Sequence, residues 1–388
     1  MDLTAIPFYD HHAHALFREA VWRSAPLEPY FSEATDPALL ARFGRDTLAF
    51  RRGLRELSSF HRCEPTVEAL LEARRRADYP ALVRRMFDEA RIAHWLIDDG
   101  LWADQLLSIA ECAAMVPDVP VRRIVRLETE LAGMVEAHDR ASSLLAAFAE
   151  RMAALAPQGA AFKSIAAYRG GLEIGRPAPA EVEVAFAAVR RALVPGQPPR
   201  LAAKPLIDAM LWAVLPVAAA AGTPVQFHTG FGDPDLDLRL ANPLHLRPLF
   251  EASELRGLRV VCLHSYPYVR EAGYLASVYP GVYVDLGLTV PYTSVHAMRT
   301  ALHEALHLAP VTKVLLSTDA QRTPETFWLA ARWGRRVLGQ VLDSTVEDGD
   351  LSPGDAEWAA SRILFENARD LYGPGAASAG AAVKGETR

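Results

Sequence analysis

Residues 8–14 read Phe8-Tyr9-Asp10-His11-His12-Ala13-His14. A strand sends successive side chains to opposite faces, so His12 and His14 project from one face and Ala13 from the other. Two imidazoles on one face can hold a metal ion between them. The alternative is a histidine pair at a strand end, hydrogen-bonded or solvated. What decides between them is whether the rest of the chain returns further ligands to this point.

Seven more short apolar runs follow, at residues 93–98, 123–128, 160–167, 224–228, 260–264, 282–288 and 314–319. Their Val, Ile, Leu and Phe content suits strands buried on both faces. Between most of them lie segments with helical spacing. Eight strand–helix units predict an α/β fold, a (β/α)8 TIM-type barrel, with a doubly wound open sheet as the runner-up. Almost every run closes with a chemically capable residue: His12 and His14, Asp98 and Asp99, Glu128, Lys163 with Tyr168 and Arg169 beyond it, His228, His264 and Asp319. A barrel gathers the C-terminal ends of its strands into one ring, where active sites are built. His11, His94, His245, His296, His303 and His307 lack that placement and read as structural or surface residues.

The spacing adds an insertion. The gap between the first and second runs is far longer than one helix needs. Within it, residues 36–57 and 66–90 have amphipathic spacing, the second segment interrupted near Pro80. Asp36 and Thr66 stand where N-caps belong, and Arg74-Arg75-Arg76 reads as a solvated helix face. The organisation expected is a single barrel domain over 1–373, with residues about 30–90 as a helical insertion or lid after strand 1, and a disordered tail over 374–388. A packing annex is the alternative use of the insertion. A second excursion after run four is punctuated by Gly170-Gly171 and several prolines; helices fit 179–193 and 205–221.

Composition narrows the function classes. The 388 residues are 51% hydrophobic and 23% charged, with net charge −6 and the two signs intermixed, which suits a soluble globular protein and argues against nucleic-acid binding. Three cysteines without a CxxC pair, and an N-terminus without a basic region and apolar run, predict a cytoplasmic protein. No uncharged apolar stretch reaches membrane-spanning length; residues 212–222 come nearest, so no membrane partner is expected.

His, His, His and Asp at strand ends suit a divalent ion, Zn²⁺ first with Mn, Fe or Ni as alternatives, leaving a position for water. Water on such an ion has a pKa near 7, so hydroxide is available for attack at neutral pH. Asp319 can take the proton of that water and pass it to a leaving group. His264 can polarise the substrate's carbonyl or ligate a second ion. Lys163 is ambiguous: its ammonium cannot bind metal, its carbamate, formed with CO₂, can bridge two ions, and left alone it can hold a substrate carboxylate or an oxyanion. A salt-bridged lysine is the bland reading.

Taken together, His12, His14, Lys163, His228, His264 and Asp319 resemble the metal-dependent amidohydrolase superfamily, whose pattern is His-x-His on strand 1, Lys on strand 4, His on strands 5 and 6 and Asp on strand 8. A closer likeness is to the nodulin/glutamine-synthetase-associated subgroup. It is carried by Phe162-Lys163-Ser164-Ile165-Ala166-Ala167-Tyr168-Arg169-Gly170-Gly171-Leu172, by His228-Thr229-Gly230-Phe231-Gly232-Asp233, by Arg270-Glu271-Ala272-Gly273-Tyr274-Leu275 and by Ser317-Thr318-Asp319-Ala320. The resemblance implies hydrolysis of a C–N bond in a small, non-peptide amide, with one or two ions held by those six residues and Lys163 as a candidate carbamate. It points to γ-glutamyl amides as a substrate class. The same superfamily contains single-metal decarboxylases, which stand as the alternative. A catalytically silent barrel serving as a binding module is the reading from a different class.

Arg169, Arg239, Arg270 and Arg322 each lie a few residues past a strand end. Arg169 and Arg270 are the favoured anchors for a substrate carboxylate. Tyr266 and Tyr268, after His264, are candidates to line the pocket, and Asp233, Asp235 and Asp237 read as loop-organising acids. Barrels with helical annexes often dimerise, so a homodimer is also expected.

Overall fold

The computed structural model describes residues 1–100, 104–197 and 199–373. The expected tail at 374–388 lies outside the described residues. Eight parallel strands follow one another in sheet order: β1 (Phe8–Ala13), β2 (Ile92–Asp98), β3 (Val121–Arg126), β4 (Ala161–Ser164), β5 (Val225–His228), β6 (Val260–Leu263), β7 (Val282–Asp285) and β8 (Val314–Leu315). This is the (β/α)8 class, with a helical insertion after β1. Chain contacts divide it into two compact units. The first comprises Met1–Arg122, Gly232–Pro234 and Asp285–Ala368; the second comprises Arg123–Phe231, Asp235–Val284 and the stretch from Arg369.

In the first unit β1 pairs with β2, Asp10 opposite Trp95 and Ala13 opposite Ile97. The eighth run is strand only over Val314–Leu315; beyond it the chain turns through Asp319, where φ is 47°. Residues 318–322 still bond to β1 and the residues that follow it. The Asp319 amide donates to the His12 carbonyl at 3.0 Å, the His14 amide to Ala320 at 2.8 Å and the Arg322 amide to Ala15 at 3.0 Å.

The insertion is helical but more broken than its spacing suggests. Residues 36–57 are not one helix: Pro37–Phe43 ends in a 3₁₀ turn at Gly44–Asp46, and Leu48–His61 starts afresh. The restart has a local cause, since the Thr47 hydroxyl accepts from the Phe50 amide at 3.1 Å and caps the new helix. Asp36 and Thr66 cap as expected. The next break comes at Ala77–Asp78, where Asp78 caps Tyr79–Ala90 and Pro80 sits in its first turn.

Arg74 corrects the reading of the arginine triplet. Arg75 and Arg76 are exposed and pair with Glu72 on their own helix. Arg74 is fully buried, its Nε 2.6 Å from Glu325 Oε1. Glu325 opens the helix Pro324–Glu347 and also accepts from the Trp22 indole N–H, at 3.2 Å to Oε2. Periodicity could not see this, because the partner is 251 residues away. The pair is a buried polar pin in a contact that also includes Phe87 against Phe327 and Phe60 against Trp328.

In the second unit β3 to β6 run in tight register, with Arg126 opposite Lys163, Lys163 opposite Gln226, and His228 opposite Leu263. The third run ends as strand at Arg126, so Glu128 lies in the short helix Leu127–Ala132 that follows. The helix Lys204–Ala221 is long and apolar enough to cross a membrane by length and composition; here it packs on Ala141–Leu155 and Pro179–Arg191.

Removing one member of a buried ion pair strands the other. Glu325→Ala is expected to cost about 3–5 kcal/mol of stability in urea denaturation. The joint change Arg74→Met with Glu325→Leu is expected to cost less, even though Trp22 loses its acceptor.

Candidate active site

Strand alternation in β1 separates two jobs. His11 points to one side, where its Nε2 lies 3.0 Å from Asp285 Oδ1 and both side chains are fully buried. Asp285 also accepts from the Ser317 and Gly287 amides, both at 2.9 Å. A Cβ on Gly287 would stand 2.2 Å from Ser317 Oγ, so only glycine passes there. His12 and His14 turn instead to Asp319. Asp10 accepts from the Thr318 amide at 2.9 Å and the Thr318 hydroxyl at 2.5 Å. Burial pushes its carboxyl up to about 8, with the Thr318 bonds acting against that and the Asp285 and Asp319 charges adding to it.

His12 and His14 meet Asp319. Asp319 Oδ1 is 3.2 Å from His12 Nε2 and 3.5 Å from His14 Nε2. His14 Nδ1 lies 3.0 Å from the Asp98 carbonyl oxygen. A carbonyl only accepts, so Nδ1 carries the proton and the Nε2 lone pair faces inward, as a metal ligand requires. One ligand atom each from His12, His14 and Asp98 lies within 4.8 Å of the others. Two imidazoles and two carboxylates converging in a buried place match the donor set of a divalent ion. The expected ligands His12, His14 and Asp319 are therefore brought together within the first unit, and Asp98 joins them. Asp98 had shown itself only as a capable strand end; its role depends on how β1 and β2 pair.

Glu33, on the insertion, is another group that the sequence left unmarked. Burial pushes its carboxyl up to about 7, and the Asp319 and Asp233 charges push the same way. The Tyr292 hydroxyl and Arg322 act against them. Arg322, one of the four candidate arginines, thus faces acids of the first unit and sits at φ 68°.

The second unit holds the rest. The His228 ring lies tilted against Tyr168, at 4.5 Å between ring centroids, and against His264 at 4.6 Å. His228 Nε2 donates to the Phe231 carbonyl at 3.1 Å. The chain turns sharply behind it at Gly230, φ 75°, where a Cβ would lie 2.2 Å from the Tyr266 carbonyl oxygen. The Thr229 hydroxyl donates to the Leu263 carbonyl at 2.7 Å and ties β5 to the end of β6. His264 and Ser265 both have positive φ, 68° and 61°. Such backbone in residues other than glycine clusters at functional sites. Lys163 is buried on β4.

The substrate candidates differ in setting. Arg169 is half-buried, 4.0 Å from Asp235. Arg270 is exposed at the start of the helix Val269–Val278, and Tyr266 is 38% exposed with its ring edge-on to Phe231. Tyr268 donates its hydroxyl to the Leu238 carbonyl. Asp237 caps a turn and pairs with Arg239, as a loop-organising acid should.

A family model described as Amidohydrolase matches residues 129–373. Protein fluG of Emericella nidulans is 32% identical across 94% of this chain and 45% of its own length, so the chain spans about half the length of the curated relative it matches. A protein from Lactobacillus casei assigned as a metal-dependent hydrolase matches in structure with TM-score 0.83 at 32% identity, over 95% of this chain and 96% of that one. Uronate isomerase from Thermotoga maritima, at TM-score 0.63 and 14% identity over 95% of each chain, shares the fold alone. Fold, donor set and these likenesses define a metal-dependent hydrolase of the (β/α)8 class. The chain belongs to the amidohydrolase family.

His12→Ala and His14→Ala are each expected to lose bound metal on dialysis, read by elemental mass spectrometry. Asp98→Asn is expected to lower metal affinity about 10–100-fold. Unchanged retention in that variant would remove Asp98 from the ligand set.

Proposed function

We propose that the protein hydrolyses the C–N bond of a small, non-peptide amide, with γ-glutamyl amides as the leading class. The observation that carries this is the convergence of His12 Nε2, His14 Nε2 and Asp319 Oδ1 in a member of the amidohydrolase family. His12, His14, Asp98 and Asp319 would hold a divalent ion, which when bound would supply Lewis acidity and a water of near-neutral pKa. Zinc is the ion we favour, because imidazole and carboxylate donors suit it.

The chain's own groups divide the proton work. Asp319 Oδ1 takes a proton from the attacking water and returns it to the departing amine, so water is consumed and a carboxylate and an amine are released. The hydrogen bond from His14 Nδ1 to Asp98 fixes the ring while this happens. We assign Lys163, His228 and His264 to the same reaction on the family pattern, His264 polarising the carbonyl and Lys163 as a carbamate ligand for a second ion. Arg169, Arg270 and Tyr266 are assigned to the substrate. Membership of the nodulin/glutamine-synthetase-associated subgroup is supported by the long strings around Lys163 and His228 and by the match to part of a longer relative. A cytoplasmic setting is supported by the free thiols Cys63, Cys112 and Cys262.

Metal content per chain and intact mass are measured first, followed by a turnover screen on amides and carboxylic acids. Amide turnover that disappears with chelator and falls about 10²–10⁴-fold in Asp319→Asn is the expected result. Metal-loaded protein that turns over no amide, or that evolves CO₂ from an acid instead, would overturn the hydrolase reading.

A further inference from the structure

The carboxyl group of Glu128 is split between two environments. Oε1 accepts from the Ser164 hydroxyl at 2.7 Å and from the Ile165 amide at 2.9 Å, which ties it to the turn just past Lys163. Oε2 is shielded from water and has no donor among the described residues. A buried carboxylate oxygen left without a donor is costly, and that cost is relieved when a donor is brought to it. Glu128 is 4% exposed, so the shielding is not a surface accident.

Its neighbours have the opposite charge. Arg126 is buried at the end of β3, in register with Lys163 on β4. Arg169 follows on the turn after β4, within electrostatic reach of Glu128 and Arg126. Its side chain is 17% exposed, whereas Arg126 and Glu128 are buried. Guanidinium groups suit a carboxylate, and an acceptor oxygen held apart from water suits an ammonium.

We infer that Glu128, Arg126 and Arg169 form a recognition subsite for the head group of an α-amino acid: the guanidinium groups take its carboxylate and Glu128 Oε2 takes its ammonium. The Arg169 side chain turns onto the carboxylate as the head group enters, which opens the way to Oε2. This rests on the hydrolase reading for its meaning in catalysis, and it narrows the substrate to amides of amino acids that keep a free α-head. All three residues belong to the second unit.

The test is calorimetric binding to the full-length chain. The probes are L-glutamate and L-alanine, each beside its counterpart without the amino group, glutarate and propionate. The amino acids are expected to bind about tenfold or more tightly than their counterparts, the scale of one charge-assisted bond. Glu128→Gln keeps the side chain's size and the Oε1 acceptor, and should erase that preference while leaving glutarate within about twofold. Arg169→Ala should weaken all four probes, and a melting curve on each variant shows that the fold is kept. Equal binding of the members of each pair, no binding of any probe, or a preference that survives in Glu128→Gln would overturn the subsite. Turnover of simple anilides is measured in parallel. Anilide turnover without the binding preference sinks this inference alone; the preference without turnover of any amide sinks the hydrolase reading alone.

Discussion

The Thr318 amide and hydroxyl both donate to Asp10, and the candidate site in the first unit depends on that interaction. A carboxyl group with no exposure to water is costly, and two donors from one residue offset much of the cost. Having accepted both, Asp10 fixes the chain beyond β8 against β1. The Asp319 amide can then reach the His12 carbonyl, and the Asp319 side chain turns back over His12 and His14. The left-handed backbone at Asp319 is held in place by these bonds. His11 and Asp285 brace the other side of β1 in the same way.

Orientation of the imidazoles follows one rule in both units. His14 and His228 each spend one ring nitrogen on a backbone carbonyl, that of Asp98 and that of Phe231. The hydrogen bond sets the tautomer and stops the ring from turning. The cost of ordering is met on folding, before substrate or metal arrives.

The insertion contributes more than cover. Its helices are pinned to Pro324–Glu347 by Arg74 and Glu325, and the segment before its first capped helix brings Glu33 to Tyr292, Arg322 and Asp319. A carboxyl pushed up by burial and by like charge can exist with or without its proton near neutral pH. The acid–base inventory of the first unit therefore includes a residue from outside the strands.

The order of strands, the insertion after β1 and the residues at strand ends were all legible in the sequence, because a period of two and short buried runs are local properties. His12, His14, His228, His264 and Asp319 could be named because each closes an apolar run, and Lys163 because its run carries it into the same ring. Asp10 stands in the same seven letters as His12 and His14. Asp98, Glu33, Arg74 and the split role of Glu128 were not legible. Each takes its character from a partner distant in the chain, Asp98 from His14, Glu33 from Asp319, Arg74 from Glu325 and Glu128 from Ser164. Sequence alone determined which apolar runs become strands and in what order, since short buried runs are a local property. Only the tertiary structure decided which of them are buried together, because desolvation and charge pairing act between atoms in space, whatever their distance along the chain.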